Sequence, residues 1–218
     1  MTRARRWVLA VVLVALAAGC GIPVDDEPRT FAGDAQASGG SSNPAGSGEA
    51  SAYVYLVDTD QLVASVRDVP DRTPQSVMRT ILAKLTADEV AAGFVSQIPP
   101  GTELRSVRQE ADATTVDLSS QFDGVIGSSR QQAIAQITLG LTELEGIKAV
   151  RFKVDGKDIQ VSSPTRGDVS SVTECDFVGL LPSDERIRSA GYSADVAKRL
   201  TSRRRAATNN CPTVTTTR

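Results

Sequence analysis

The chain has 218 residues, 24 basic and 26 acidic side chains, three cysteines, no histidine and only 4% aromatic residues. Without histidine there is no His-based triad, no His-containing zinc site and no ordinary general base near neutral pH. The slightly acidic balance is the reverse of what a polyanion-binding protein shows, so nucleic acid is disfavoured as a partner. The length suits one domain of ordinary size with extended flanks, its core built mainly from Val, Ile, Leu and Ala.

Arg3, Arg5 and Arg6 precede an apolar run from Trp7 to Ala18 that ends at Gly19-Cys20. A charged n-region, an h-region short for a membrane span and small residues before a cut form the outline of a lipoprotein signal peptide over residues 1–19. Cys20 would then be the acylated first residue of the mature chain. A lipobox usually carries Leu three residues before its Cys; here that place is Ala17, with Leu16 one step back. An uncleaved anchor, or secretion without lipid, is the competing reading. Cleavage removes three of the 24 basic residues and none of the 26 acidic ones, leaving a formal charge of −5. With Cys20 acylated, Cys175 and Cys211 remain as an even pair in an oxidising compartment, where a disulfide is expected. The two are too far apart in sequence for a redox CxxC motif.

Residues 20–50 pass through the acidic Asp25, Asp26 and Glu27 into a stretch of Gly, Ser, Ala and single Pro. This composition predicts a disordered tether, with a root-mean-square span of about 25 Å for the stretch Arg29 to Ala50. The three acids lack the spaced oxygen donors and the Gly turn of a calcium loop. Tyr53 to Val57 and Leu62 to Arg67 read as strands joined at Asp58-Thr59-Asp60. Thr73-Pro74 opens a helix whose Val77, Met78, Ile81, Leu82 and Leu85 share a buried face. Thr86 and Glu89 have capping-box spacing for a further short helix, ended by Gly93. The loop Ile98-Pro99-Pro100-Gly101-Thr102 leads into a second strand pair, Leu104 to Gln109 and Thr114 to Leu118.

Ser128 and Gln131 predict another capped helix with an apolar stripe of Ala133, Ile134, Ile137, Leu141 and Leu144, closed by Gly146. Strands over Lys148 to Val154 and Lys157 to Val161 flank Asp155-Gly156, a two-residue hairpin signal. The order strand, strand, helix, strand, strand, helix, strand, strand predicts an α+β domain over 51–162, with a mixed or mainly antiparallel sheet and two helices on one face. Residues 163–218 read as an extension: loop from Ser162 to Ser171, an apolar patch of Phe177, Leu180 and Leu181, and short helices capped by Ser183 and Ser193. Its apolar seam is modest, so a Cys175–Cys211 staple would matter to it. Thr213 to Arg218 is expected to fray. Lys198, Arg199, Arg203, Arg204 and Arg205 read as a solvated helical face, or as contacts to an anionic lipid or wall polymer.

Several segments together resemble one family. Val54-Tyr55-Leu56-Val57, Thr73-Pro74-Gln75, Ile98-Pro99-Pro100-Gly101-Thr102, Val116-Asp117-Leu118-Ser119-Ser120, Leu141-Thr142-Glu143-Leu144 and Val150-Arg151-Phe152-Lys153-Val154-Asp155-Gly156-Lys157 are similar, in order and spacing, to the GerMN domain. The likeness covers about residues 53–162, and the chain, rich in Ala, Val, Arg and Thr, resembles the family's single-domain lipoproteins of high-GC Gram-positive bacteria. It implies an extracytoplasmic domain of envelope assemblies, without catalytic residues to transfer and with a weak pointer to peptidoglycan.

No phosphate loop and no CxxC pairs are present, so no cofactor and no metal are expected. The best case for an enzyme is a pair of carboxylates for glycoside hydrolysis, Asp117 and Asp123; a strand residue and a turn residue are the plainer explanation. The sequence therefore predicts a lipid-anchored, non-enzymatic interaction or scaffold module on the outer face of the cytoplasmic membrane, with an envelope protein or wall polymer as partner. A carboxylate-dependent wall hydrolase and a small-molecule or lipid carrier are the alternatives. The sequence leaves oligomeric state open.

Overall fold

The computed structural model describes residues 50–211. The signal peptide at 1–19, the lipidation site Cys20, the acids Asp25, Asp26 and Glu27, nearly all of the 20–50 tether and the expected fray at 213–218 lie outside the described residues.

The class is α+β. Strands β1 (Ala50–Asp58) and β2 (Gln61–Val69) form an antiparallel hairpin, turned at Thr59 with φ 61°. This hairpin is a sheet of its own and does not join the larger one. Helices α1 (Pro74–Ile81) and α2 (Ala87–Ala91) follow, then β3 (Leu104–Glu110), β4 (Ala113–Leu118), α3 (Gly127–Leu141), β5 (Ala149–Val154) and β6 (Lys157–Asp158). The main sheet has the order β3-β4-β5-β6, antiparallel except for the parallel β4–β5 pair that α3 connects. Among the described residues that crossover is the one place where a helix separates neighbouring strands, as parallel pairing requires.

Caps follow local chemistry. Thr73 accepts a hydrogen bond from the Ser76 amide, with Pro74 at the first helical position, and Thr86 with Glu89 closes a reciprocal capping box. Helix α3 departs from expectation. It begins at Gly127, and no side chain caps it, so Ser128 is not its cap. Gly127 has φ 62°, a bend that carries the chain out of the preceding 3-10 turn, Ser120–Gly124; the Arg130 guanidinium instead donates to the carbonyls of Phe122 and Val125. Every residue of α3 from Ala133 to Leu141 is buried, with β1 and α1 packed on it as well as β5. A one-sided stripe is too narrow a description of this helix, because the separate hairpin covers the side that the sheet leaves free.

The Asp155-Gly156 turn has φ 46° and 77°, the primed geometry of a tight hairpin. Beyond it the expected strand to Val161 stops at Asp158. Val161–Ser163 (β7) instead pairs with Gly167–Val169 (β8), a small hairpin where a loop was expected, and Val172–Thr173 (β9) pairs antiparallel with β5. The C-terminal segment then forms α4 (Asp184–Ser189) and α5 (Ala194–Asn210), capped by Ser183 and Ser193. Its seam is larger than expected: Val172, Phe177, Leu181, Ile187, Val196 and Leu200 all enter the hydrophobic core. Cys175 and Cys211 form a disulfide with Cα atoms 5.3 Å apart.

Candidate functional site

An apolar opening on the surface lies where α1 and α2 meet the Pro-Pro loop. Helix α1 buries Val77, Met78 and Ile81, but the chain leaves it with Leu82 and Leu85 only half covered. On α2, one turn later, Val90 stands 60% exposed, and Val95 beyond it is 45% exposed. With Ile98, Pro99 and Pro100 these side chains line a groove of about 560 Å³, rimmed by Lys84. Contiguous apolar surface of this kind marks contact sites more often than it marks chance exposure.

The walls are pinned by polar contacts of three sorts. Val95 makes a two-way backbone bridge to Val57, with N···O distances of 2.8 and 2.9 Å. In the Pro-Pro loop, the Thr102 hydroxyl donates to the Pro99 carbonyl at 2.8 Å, while the Ser119 amide donates to the Glu103 carbonyl and the Ser119 hydroxyl accepts from the Glu103 amide, both at 2.9 Å. The third sort is an ion pair. Arg67 on β2 donates Nε and Nη2 to the two oxygens of Glu89 on α2, at 2.9 and 2.6 Å, and Nη1 to the Thr80 carbonyl at the end of α1 at 2.7 Å. One guanidinium thus holds both helices of the groove against the hairpin. Burial would raise the Glu89 carboxyl, but the Arg67, Thr86 and Ser65 hydrogen bonds outweigh it and lower it to about 2.

A second polar cluster fixes the C-terminal helix. Tyr55 on β1 donates its hydroxyl to Glu143 at 2.6 Å, and Glu143 also accepts from Arg199 and Arg203 of α5. Arg203 is buried, reaches Thr142 and pairs with Glu174 at 3.3 Å, its guanidinium 5.3 Å from the Tyr55 ring centre. Burial pushes the Glu143 carboxyl up, yet the Arg203 charge and the Arg199 and Tyr55 hydrogen bonds hold it below its ordinary value; burial keeps the Tyr55 phenol protonated. Arg204 reaches the Leu181 and Pro182 carbonyls and pairs with Asp184 at 3.8 Å. Of the five basic residues expected on a solvated face, Lys198 and Arg205 are exposed while Arg199, Arg203 and Arg204 are used inside the molecule. The sequence carried one signal for this. Arg203 falls in the same helical stripe as Val196, Leu200 and Ala207, a core position held by a charge. A third cluster anchors β7 to the turn after β9: Asp176 accepts from Arg166, Ser163 and Thr173, and these bonds, set against its burial, lower its carboxyl to about 2.

The two candidate acids are engaged separately. Asp117 accepts from the Gly156 amide at 3.0 Å and lines a groove on the open face of the main sheet. Asp123 pairs with Arg130 at 3.2 Å and is not among that groove's residues. The geometry supports the plainer reading of each: one ties β4 to the hairpin turn, the other steadies the entry to α3. No helix among the described residues is long and apolar enough to cross a membrane.

Residues 53–160 match the Germane family, described as "Sporulation and spore germination". Among solved structures the chain is similar to the tandem GerMN domains of the sporulation protein GerM from Bacillus subtilis, at 18% identity and a TM-score of 0.47, over 59% of this chain and 47% of that one. It therefore spans about half the length of that relative. It is also similar to the first GerMN domain of the same protein, at 16% identity and a TM-score of 0.45, over 57% of this chain and 97% of that one. A Clostridium perfringens chain described provisionally as a lipoprotein gives 16% identity and a TM-score of 0.40, over 59% of this chain and 90% of that one. No curated protein matches.

Proposed function

We propose that this chain, a GerMN-domain protein of the Germane family through residues 53–160, is a lipid-anchored interaction module in the cell envelope. In this reading Cys20 carries the acyl chains, residues 21–50 are the tether, and the domain works on the outer face of the cytoplasmic membrane as a scaffold without chemistry of its own. Its partner is an envelope protein. The observation that carries the reading is the groove between α1, α2 and the Pro-Pro loop, whose Leu82, Leu85, Val90, Val95 and Pro100 offer an apolar receptacle on pinned walls. An apolar centre with a polar rim is the anatomy of a protein contact surface. The anchor is supported by the charged, apolar and small-residue succession that ends at Cys20.

A photo-crosslinking residue placed at Val90 or Val95 of the full chain, in its native envelope, tests the groove. One discrete partner should be trapped from both positions, and Leu82→Asp should abolish the adduct. Adducts equally abundant from exposed Arg188 on α4 would sink the idea. Labelled fatty acid should enter the wild-type chain and not Cys20→Ser; label surviving that substitution would remove the anchor from the proposal.

A further inference from the structure

The main sheet covers one face with helices and leaves the other open, and on that open face Arg108, Arg151 and Lys153 stand with Glu110, Asp117 and Asp158, equal in number but not all paired. Cross-strand register places its outward side chains in rows. One row runs Ser106, Asp117, Lys153, Asp158 across β3, β4, β5 and β6. There each charge has a local partner: Asp117 takes the Gly156 amide, and Lys153 pairs with Asp158 at 3.4 Å. Nearby, Arg105 pairs with Asp155 at 2.9 Å.

The neighbouring row runs Arg108, Thr115, Arg151. Both arginines are exposed, and among the described residues neither has an ion-pair partner. Strand spacing puts their backbones about 10 Å apart, with the Thr115 hydroxyl between them. The two arginines flank Thr115 rather than facing each other, and no residue of this row carries a counter-charge. The three side chains line a groove of about 350 Å³ together with Glu110, two residues from Arg108 on the same strand, and with Asp117, Lys153 and Asp158 of the adjoining row.

We propose that Arg108, Thr115 and Arg151 form a binding site for a phosphate group. The register sets one guanidinium-bearing residue on either side of a hydroxyl-bearing one, so donors are available from three neighbouring strands. A tetrahedral dianion can accept from all three; a planar carboxylate is filled by one bidentate fork. Glu110, Asp117 and Asp158 line the same groove, and their charge weakens the binding of any anion there. The phosphate belongs either to a lipid head group or to a free phosphorylated molecule, and the site chemistry is the same for both. This site is separate from the apolar groove and does not depend on it.

The test uses the full chain with Cys20→Ser, so that acylation cannot itself hold it to vesicles. Inorganic phosphate titrated at constant ionic strength should shift the Arg108 and Arg151 side-chain N–H signals and the Thr115 amide along one saturating curve in NMR. Chloride at equal ionic strength should not. Arg108→Gln and Arg151→Gln should each weaken binding about tenfold, the loss of one charge-assisted pair, and Glu110→Gln should strengthen it about threefold. All three positions are exposed, and an unchanged thermal melt confirms that the variants fold. Sedimentation with phosphatidic acid vesicles, against phosphatidylcholine, then places the phosphate. Binding lost in Arg151→Gln puts it on a head group, and phosphate binding without vesicle binding puts it on a free molecule; both sustain the site. Absent shifts, equal shifts with chloride, or shifts that persist in both arginine variants would overturn it.

Discussion

Replacing Arg203 by Met tests how the C-terminal helix is held. In the folded chain this guanidinium is 6% exposed and serves Glu143, Thr142, Glu174 and the face of Tyr55 at once. Arg203→Met leaves Glu143 buried with Arg199 and the Tyr55 hydroxyl as its remaining donors. Breaking a buried pair costs about 3–5 kcal/mol, and because Arg199 persists the loss should sit at about 3 kcal/mol. Glu143→Leu strands the more deeply enclosed partner, with Glu174 as its one remaining counter-charge, and should cost about 4–5 kcal/mol. The double variant removes both charges and keeps apolar volume, so its cost should fall to about 0–2 kcal/mol. Urea unfolding followed by circular dichroism gives all three values. A double variant that equals the sum of the singles within about 0.5 kcal/mol would show that the two groups are not coupled, and the account of the cluster would fail.

Reduction of the Cys175–Cys211 bridge, which closes a separation of 36 residues, should remove about 4 kcal/mol by chain entropy, read as a lower thermal midpoint in reductant; an unchanged midpoint would refute the staple. Acid should destabilise the fold through Glu89 and Asp176, both held at about 2. Because both are lowered in the folded chain, the unfolded chain protonates first as pH falls, so stability present above about pH 5 is lost on the way to about pH 2. The Glu89 share is about 3 kcal/mol, so Glu89→Gln should flatten that acid limb; an identical limb would contradict the assignment. A Cβ at Gly140 would lie 2.6 Å from Ile81 Cδ1. Gly140→Ala should therefore cost about 1–3 kcal/mol by overpacking, and Ile81→Val, which removes that methyl, should recover most of it in the double variant; no recovery would place the strain elsewhere.

What the sequence made legible was local. Thr73, Thr86, Ser183 and Ser193 cap as read because a hydroxyl and the next turn's amide lie three residues apart, a distance the chain cannot alter. Asp155-Gly156 turns as read for the same reason. Ser128 failed because its pattern competed with a left-handed glycine just before it, a backbone choice set by how the 3-10 turn delivers the chain. Val172 pairing with β5, and the first hairpin standing apart from the main sheet, depend on partners far along the chain, and no local periodicity encodes them. The candidate sites divide in the same way. The Pro-Pro loop was visible as a motif, but the apolar groove needs α1, α2 and Val95 brought together. The Arg108–Arg151 row appears only once β4 is set between their strands.

The C-terminal helix also determines how much of this chain can stand alone. Arg199 and Arg203 lie against the rings of Tyr53 and Tyr55, and the segment beyond residue 160 supplies Phe177 and Leu200 to the common core. A fragment cut at the edge of the recognised domain would bare two tyrosines, leave the Glu143 carboxylate without its cations and strip a strand partner from β5. Such a fragment should be recovered as aggregate, so soluble protein for any binding experiment needs the chain through Cys211.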